Sequence, residues 1–226
     1  MSVRTQKIVA PLIKICGLST PEALEATIDA GADMAGFVFF EKSPRHIDLV
    51  RAAELGRLAA GRIRKVALTV DASDSEIAEI VAALGPDLLQ LHGHESPERV
   101  AAVKARFGLP VIKAIGVSTP ADVDESAAFA AADILLFDAK PAPDAAVPGG
   151  AGVAFDWDLL RKIPTKNWML SGGLDAQNVM QALARTRAPA LDVSSGVERA
   201  RGVKDAAKIA AFVAAARTLS SCAARE

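Results

Sequence analysis

Short apolar runs alternate along the chain with longer stretches in which Ala, Leu and Val recur at helical spacing among charged residues. The runs fall at residues 12–16, 34–39, 66–70, 88–91, 111–115, 134–137, 168–171 and 191–193, and their lengths suit buried strands. The amphipathic stretches fall at 21–30, 49–58, 74–84, 97–107, 120–131, 157–163, 175–185 and 205–216. Ser19-Thr20-Pro21, Ser118-Thr119-Pro120 and Asp175 read as helix starts, because a hydroxyl or carboxylate accepts from free first-turn N–H groups and proline fits the first turn. Eight strand–helix units predict parallel strands with helical crossovers, and a single-domain (β/α)8 barrel over residues 1–226. The competing open, doubly wound sheet lacks its usual mark, since no G-x-G-x-x-G follows the first run.

Polar residues interrupt these runs with a period of two. If Ile13 and Ile15 face the helices, Lys14 and Cys16 face the lumen. The same parity sends Gln90 and His92, then Asp138, then Asp192 inward from the fourth, sixth and eighth strands. Any one of them could be a hydrogen-bonded structural residue. Together they define the rim at the strands' C-terminal ends, where barrels of this type carry their active sites.

Two small-residue turns sit on the same rim. Ser171-Gly172-Gly173 follows the seventh strand and Ser194-Ser195-Gly196 the eighth. Such turns let backbone N–H groups approach an anion closely, and this pair of loops is the recurrent phosphate cradle of the fold. A small phosphorylated molecule is therefore the expected partner. Residues 139–154, rich in Pro, Gly and Ala, break the rhythm after the sixth strand and read as a lid over the rim.

Composition narrows the function classes. With 26 basic against 27 acidic residues the net charge is −1, which gives no footprint for nucleic acid or an anionic membrane. No stretch approaches a membrane span, and no secretory leader is legible, so a cytoplasmic location is expected. Two cysteines, Cys16 and Cys222, suit a reducing compartment, and with three histidines they supply a metal site poorly. His46 and His94 read as exposed loop residues, and Cys222 as an incidental tail thiol. Monomer and homodimer are both open.

Several segments, ordered along nearly the whole chain, resemble the phosphoribosylanthranilate isomerase family of tryptophan biosynthesis. They are Lys14-Ile-Cys-Gly17, the ten residues from Phe37 to His46, Leu89-Gln-Leu-His-Gly93 and Leu136-Phe-Asp138. Further along come Gly149-Gly-Ala-Gly152 running into Phe155-Asp-Trp157, Leu170-Ser-Gly-Gly-Leu174, the run from Asp192 to Glu198, and Gly202-Val-Lys-Asp205. The resemblance implies a β/α barrel and an Amadori rearrangement without a cofactor. It implies Cys16 as the base that removes a proton from the sugar's second carbon, and Asp138 as the acid that opens the furanose. It places Arg45 on the anthranilate carboxylate, Asp192 as an orienting acid, and Gln90 and His92 beside the substrate. One departure is Ala151, where the family often has Ser or Thr, so a hydroxyl in the glycine-rich loop is lost.

Free Cys and Asp titrate near ~8.5 and ~3.9, the wrong sides of neutrality for these roles. The expectation is that burial raises Asp138 and that Lys14 keeps Cys16 a thiolate. Two other readings stand beside this one: a different sugar-phosphate isomerase or epimerase, and a non-catalytic phosphoribosyl-binding barrel. A pure binder has no use for both Cys16 and Asp138.

Overall fold

The structure, a computed structural model, describes residues 10–140, 155–161, 163 and 167–222, the side chains of 219–222 excepted. Eight parallel strands close into a barrel in the order β1-β2-β3-β4-β5-β6-β7-β8. They are β1 (Leu12–Cys16), β2 (Met34–Phe39), β3 (Arg64–Thr69) and β4 (Leu88–Leu91), then β5 (Val111–Val117), β6 (Ile134–Ala139), β7 (Trp168–Leu170) and β8 (Ala190–Val193). Closure is made by β8 pairing β1, with Lys14 beside Asp192 and Ile15 beside Val193. The alternation predicted from sequence therefore becomes a geometric fact: partners in register point the same way.

Two apolar layers result. Met34, Val66, Leu88, Ile112, Leu136, Met169 and Ala190 fill the lumen toward the strands' N-terminal ends. Ile13, Ile15, Phe37, Leu89, Leu91, Phe137, Leu191 and Val193 face outward and pack beneath the helices. Burial of each such side chain is worth ~1.5–3 kcal/mol. The lumen toward the C-terminal ends holds Lys14, Cys16, Gln90 and Asp192, all buried, beside a small apolar cluster of Val38 and Leu68 against Cys16.

The helices are α1 (Pro21–Asp29), α2 (Leu49–Ala59), α3 (Asp74–Leu84), α4 (Pro97–Phe107), α5 (Pro120–Glu125), α6 (Val179–Thr186) and α7 (Ala206–Cys222). Their starts are chemically legible: Thr20 Oγ1 accepts from the Ala23 N–H ahead of Pro21, and Ser73 forms a capping box with Glu76. Three helices differ from expectation. The stretch expected at 120–131 turns from α5 into a 3₁₀ turn at Ser126–Phe129, where the Ser126 hydroxyl donates back to the Val123 carbonyl at 2.6 Å. The one expected at 157–163 is a 3₁₀ turn, Trp157–Leu160, opened by Asp156, whose Oδ1 accepts from the Asp158 N–H at 3.1 Å. Asp175 does not cap α6. Its Oδ1 accepts from the Gln177 and Asn178 N–H groups and closes a separate turn before the helix begins.

One element was not expected. After β8 the chain makes a 3₁₀ turn, Ser195–Val197, and then a small antiparallel hairpin, β9 (Glu198–Ala200) and β10 (Val203–Lys204). Residues 141–154, which include Ala151 and all but the first two residues of the lid expected at 139–154, lie outside the described set, as does the side chain of Cys222.

Candidate active site

The floor of the site is built by β1, β2 and β8. Lys14, fully buried, donates from Nζ to Asp192 Oδ1 at 2.8 Å. Cys16 stands two residues on, on the same face. Room for both comes from Gly36, the β2 residue in register with Cys16: a side chain there would begin 3.0 Å from Cys16 Sγ and 3.0 Å from Lys14 Nζ. A glycine in mid-strand is otherwise unfavourable, and this one is explained by what it admits.

Electrostatics here run against one expectation. Burial pushes the Cys16 thiol above its ordinary range, and the neighbouring Asp192 charge adds to the rise. Lys14 opposes this, but its charge is shared with Asp192, whose proximity raises the lysine in turn. Lys14 thus tempers the thiol without making it a resting thiolate.

Across the lumen, the fourth strand's end and β6 supply a second group. His92 Nε2 lies 3.5 Å from Asp138 Oδ2, and His92 Nδ1 lies 2.9 Å from Gln90 Nε2. With the amide donating, the imidazole proton sits on Nε2 and faces Asp138. Asp138 Oδ1 accepts from the Ala139 N–H at 2.8 Å. Gln90 Oε1 is buried and has no partner among the described residues. Parity thus brought Lys14, Cys16, Gln90, His92, Asp138 and Asp192 to one mouth, as the sequence suggested.

The two glycine turns meet there too. Gly172 and Gly173 have positive φ (87° and 64°), which side-chain-bearing residues rarely adopt, and a Cβ on Gly172 would sit 3.1 Å from Asp138 Oδ1. Gly196 passes so close to the Leu174 carbonyl that a side chain would overlap it, so the loops after β7 and β8 are interlocked. The N–H groups of Gly172, Gly173, Ser194 and Ser195 have no partner among the described residues. The serine hydroxyls are a different matter. Ser171 Oγ, buried, donates to Asp192 Oδ2 at 3.3 Å, and Ser194 Oγ donates to the Cys16 carbonyl at 3.0 Å. Both side chains support the floor, which leaves the backbone N–H groups and the Ser195 hydroxyl to an anion.

Arg45 is neither solvated nor unpaired. Its Nε and Nη2 donate to the two oxygens of Glu198 at 2.7 and 3.0 Å, and its stem crosses directly over Gly17, where a Cβ would clash with Cδ. Glu198 also accepts from Lys204 Nζ at 2.8 Å and from the Gly202 N–H at 3.1 Å. Four donors hold its carboxyl down to about 2, against the cost of burial. Lys204 in turn donates to the Ser194 carbonyl at 2.9 Å. Glu198 and Lys204 carried no predicted role, because a contact across 153 residues leaves no periodic signal; their place in two of the resembling segments was the available hint. His46 and His94 are exposed, as expected, and His94 pairs loosely with Asp71.

Comparisons with known proteins agree with this geometry. Residues 13–215 match the family described as N-(5'phosphoribosyl)anthranilate (PRA) isomerase. The chain is 56% identical over 208 residues to N-(5'-phosphoribosyl)anthranilate isomerase of Beijerinckia indica, covering 91% of this chain and 94% of that one. It is 59% identical over 207 residues to the Azorhizobium caulinodans protein of the same name, covering 91% of each. Among solved structures, phosphoribosyl anthranilate isomerase from Thermotoga maritima superposes with a TM-score of 0.83 at 32% identity, over 92% of this chain and 98% of that one. A phosphoribosyl anthranilate isomerase in complex with reduced 1-(o-carboxyphenylamino)-1-deoxyribulose 5-phosphate superposes with a TM-score of 0.79 at 31% identity, over the same shares.

Proposed function

The chain belongs to the N-(5'-phosphoribosyl)anthranilate isomerase family, and from that premise we propose that Cys16 and Asp138 are the base and acid of its Amadori rearrangement. The protein is an isomerase of tryptophan biosynthesis acting on phosphoribosylanthranilate. Its reaction is redox-neutral and internal to the substrate, so the chemistry reduces to moving protons at the right atoms.

Asp138 delivers a proton to the furanose ring oxygen as the bond from that oxygen to C1′ breaks and the anthranilate nitrogen lone pair forms C1′=N. Cys16 as thiolate then takes the proton from C2′, giving the enolamine. Loss of the enol proton and protonation at C1′ yield the ketose. The single observation that carries this reading is the convergence of Cys16 and Asp138, from strands three steps apart around the ring, on one mouth. Burial raises the Cys16 thiol, so its proton must leave before the sulfur can act as base.

The rest of the mouth supplies binding. Backbone N–H groups of Gly172, Gly173, Ser194, Ser195 and Gly196 receive the phosphate, while Ser171 holds Asp192 in place. Arg45 offers its remaining guanidinium edge to the ring carboxylate. Gln90 holds His92, and His92 orients Asp138. Asp192 orients Lys14 beside Cys16. We further read the enzyme as cytoplasmic, in keeping with its phosphorylated substrate and its free, buried Cys16.

A fluorescence progress curve with freshly generated phosphoribosylanthranilate tests the pair. Cys16→Ala and Asp138→Asn should each slow turnover ~10²–10⁴-fold while the fold is retained. Activity surviving either change would remove that residue from the mechanism. A folded wild type without turnover would point to the binding-only barrel.

A further inference from the structure

We propose that Glu198, carried with Lys204 on the β9–β10 hairpin, is the positioning residue that sets how Arg45 meets the substrate's ring carboxylate. This rests on the reading of Arg45 as that carboxylate's partner. A guanidinium presents two edges that can each grip a carboxylate with two parallel N–H donors. Glu198 takes the Nε/Nη2 edge, and Nη1 has no partner among the described residues. The end-on Nη1/Nη2 edge, which shares Nη2, is therefore the one left to a ligand, and the stem's passage over Gly17 fixes where that edge lies relative to Cys16.

Charge decides whether such an edge is useful. An Arg45–Glu198 pair alone is neutral and would attract a second carboxylate weakly. Lys204 Nζ lies 2.8 Å from the Glu198 oxygen that also meets Arg45 Nε; burial lowers this lysine and Glu198 opposes the fall, so with Lys204 protonated the trio carries a net charge of +1. Its side chains are nearly excluded from water, where that surplus is screened little. The hairpin itself is registered on the β2 loop. Gly202, at φ 81°, gives its N–H to Glu198, and a side chain there would meet the Pro44 carbonyl at 2.5 Å. A purely structural ion pair needs neither a spare guanidinium edge nor a third charge; a carboxylate-reading arginine needs both.

The test compares two inhibitors: a product analogue bearing the ring carboxylate and its anilino counterpart without it. In Glu198→Gln, the KM for phosphoribosylanthranilate should rise about tenfold with kcat within about threefold, and the carboxylate analogue alone should lose about tenfold in affinity. Lys204→Met should narrow the same ratio, since any effect through Ser194 falls on both inhibitors equally. Glu198→Asp should lie between wild type and Glu198→Gln. Thermal melts establish that each variant is folded, and if Glu198→Gln is not, Lys204→Met and Glu198→Asp decide. Equal weakening of both inhibitors, or a fall in kcat at constant KM, would reduce Glu198 to structural support. Arg45→Lys separates the two levels. If it leaves the ratio intact, the carboxylate reading of Arg45 fails and this inference with it. If it abolishes the ratio while the Glu198 and Lys204 variants do not, only the positioning role falls.

Discussion

The two sides of the barrel mouth are built on different principles. On the side of β1, β8 and the hairpin, the buried carboxylates are fully engaged: Asp192 takes Lys14 and Ser171, and Glu198 takes four donors. On the side of β4 and β6, contacts are sparse. His92 and Asp138 stand at 3.5 Å, and Gln90 Oε1 is buried without a partner among the described residues. Both sides are buried, so the contrast is one of satisfaction rather than exposure. A saturated network resists rearrangement when one member titrates, which suits a floor that must hold a raised thiol beside a lysine. A sparsely satisfied group has capacity left for a ligand or a moving proton, which suits an acid that must give its proton to the ring oxygen.

The comparison breaks first on stability. Lys14→Met leaves the Asp192 carboxylate buried beside one hydroxyl, and should cost about 3–5 kcal/mol in denaturant unfolding. Acid unfolding should register Glu198 next. Its folded value of about 2 lies below an unfolded value near ~4.3, so the stability it contributes is fully present above pH ~4.3 and is lost as pH falls toward 2. That contribution is on the order of 3 kcal/mol. Glu198→Gln should flatten this limb of the pH–stability curve, whereas His92→Gln should leave it unchanged.

Smaller effects sharpen the picture. Gly36→Ala forces Lys14 Nζ and Cys16 Sγ to give way, and should lower kcat about tenfold with under about 1 kcal/mol lost in stability. In pH-dependent thiol alkylation, the wild-type midpoint should lie above the ordinary ~8.5. Asp192→Asn removes a negative charge and releases Lys14, so it should move that midpoint down; a midpoint that stays or rises would contradict the electrostatic account. Gln90→Met should cost about 1–2 kcal/mol, because it strips His92 Nδ1 of its donor, a loss partly offset by deleting the unpartnered Oε1.

Most of the barrel and its lumen were legible in the sequence because a period of two survives in a parallel barrel wherever polar residues interrupt apolar runs. Lys14, Gln90, Asp138 and Asp192 were placed by parity alone, since the hydrogen-bond register offers them one other face, which is filled with Ile, Leu and Phe. What escaped depends on contacts distant in sequence. Strands β9 and β10 have three and two residues, too few to show alternation, and Glu198 acquires its meaning from Arg45 and Lys204. The two glycine turns were expected to meet phosphate through backbone N–H groups, and turn chemistry gave no sign that the Ser171 and Ser194 hydroxyls would be taken by Asp192 and the Cys16 carbonyl. The thiol was misjudged for a related reason. Lys14 is close to Cys16, yet sequence distance could not tell that Asp192 shares its charge.

The division of labour between the two sides is tested most directly by a C2′-deuterium isotope effect on slowed variants. With the base impaired in Cys16→Ser, proton abstraction limits turnover, and the account predicts a full primary effect. With the acid impaired in Asp138→Asn, ring opening limits turnover, and the effect should collapse toward unity. A full effect in Asp138→Asn together with none in Cys16→Ser would contradict the assignment of base to β1 and acid to β6.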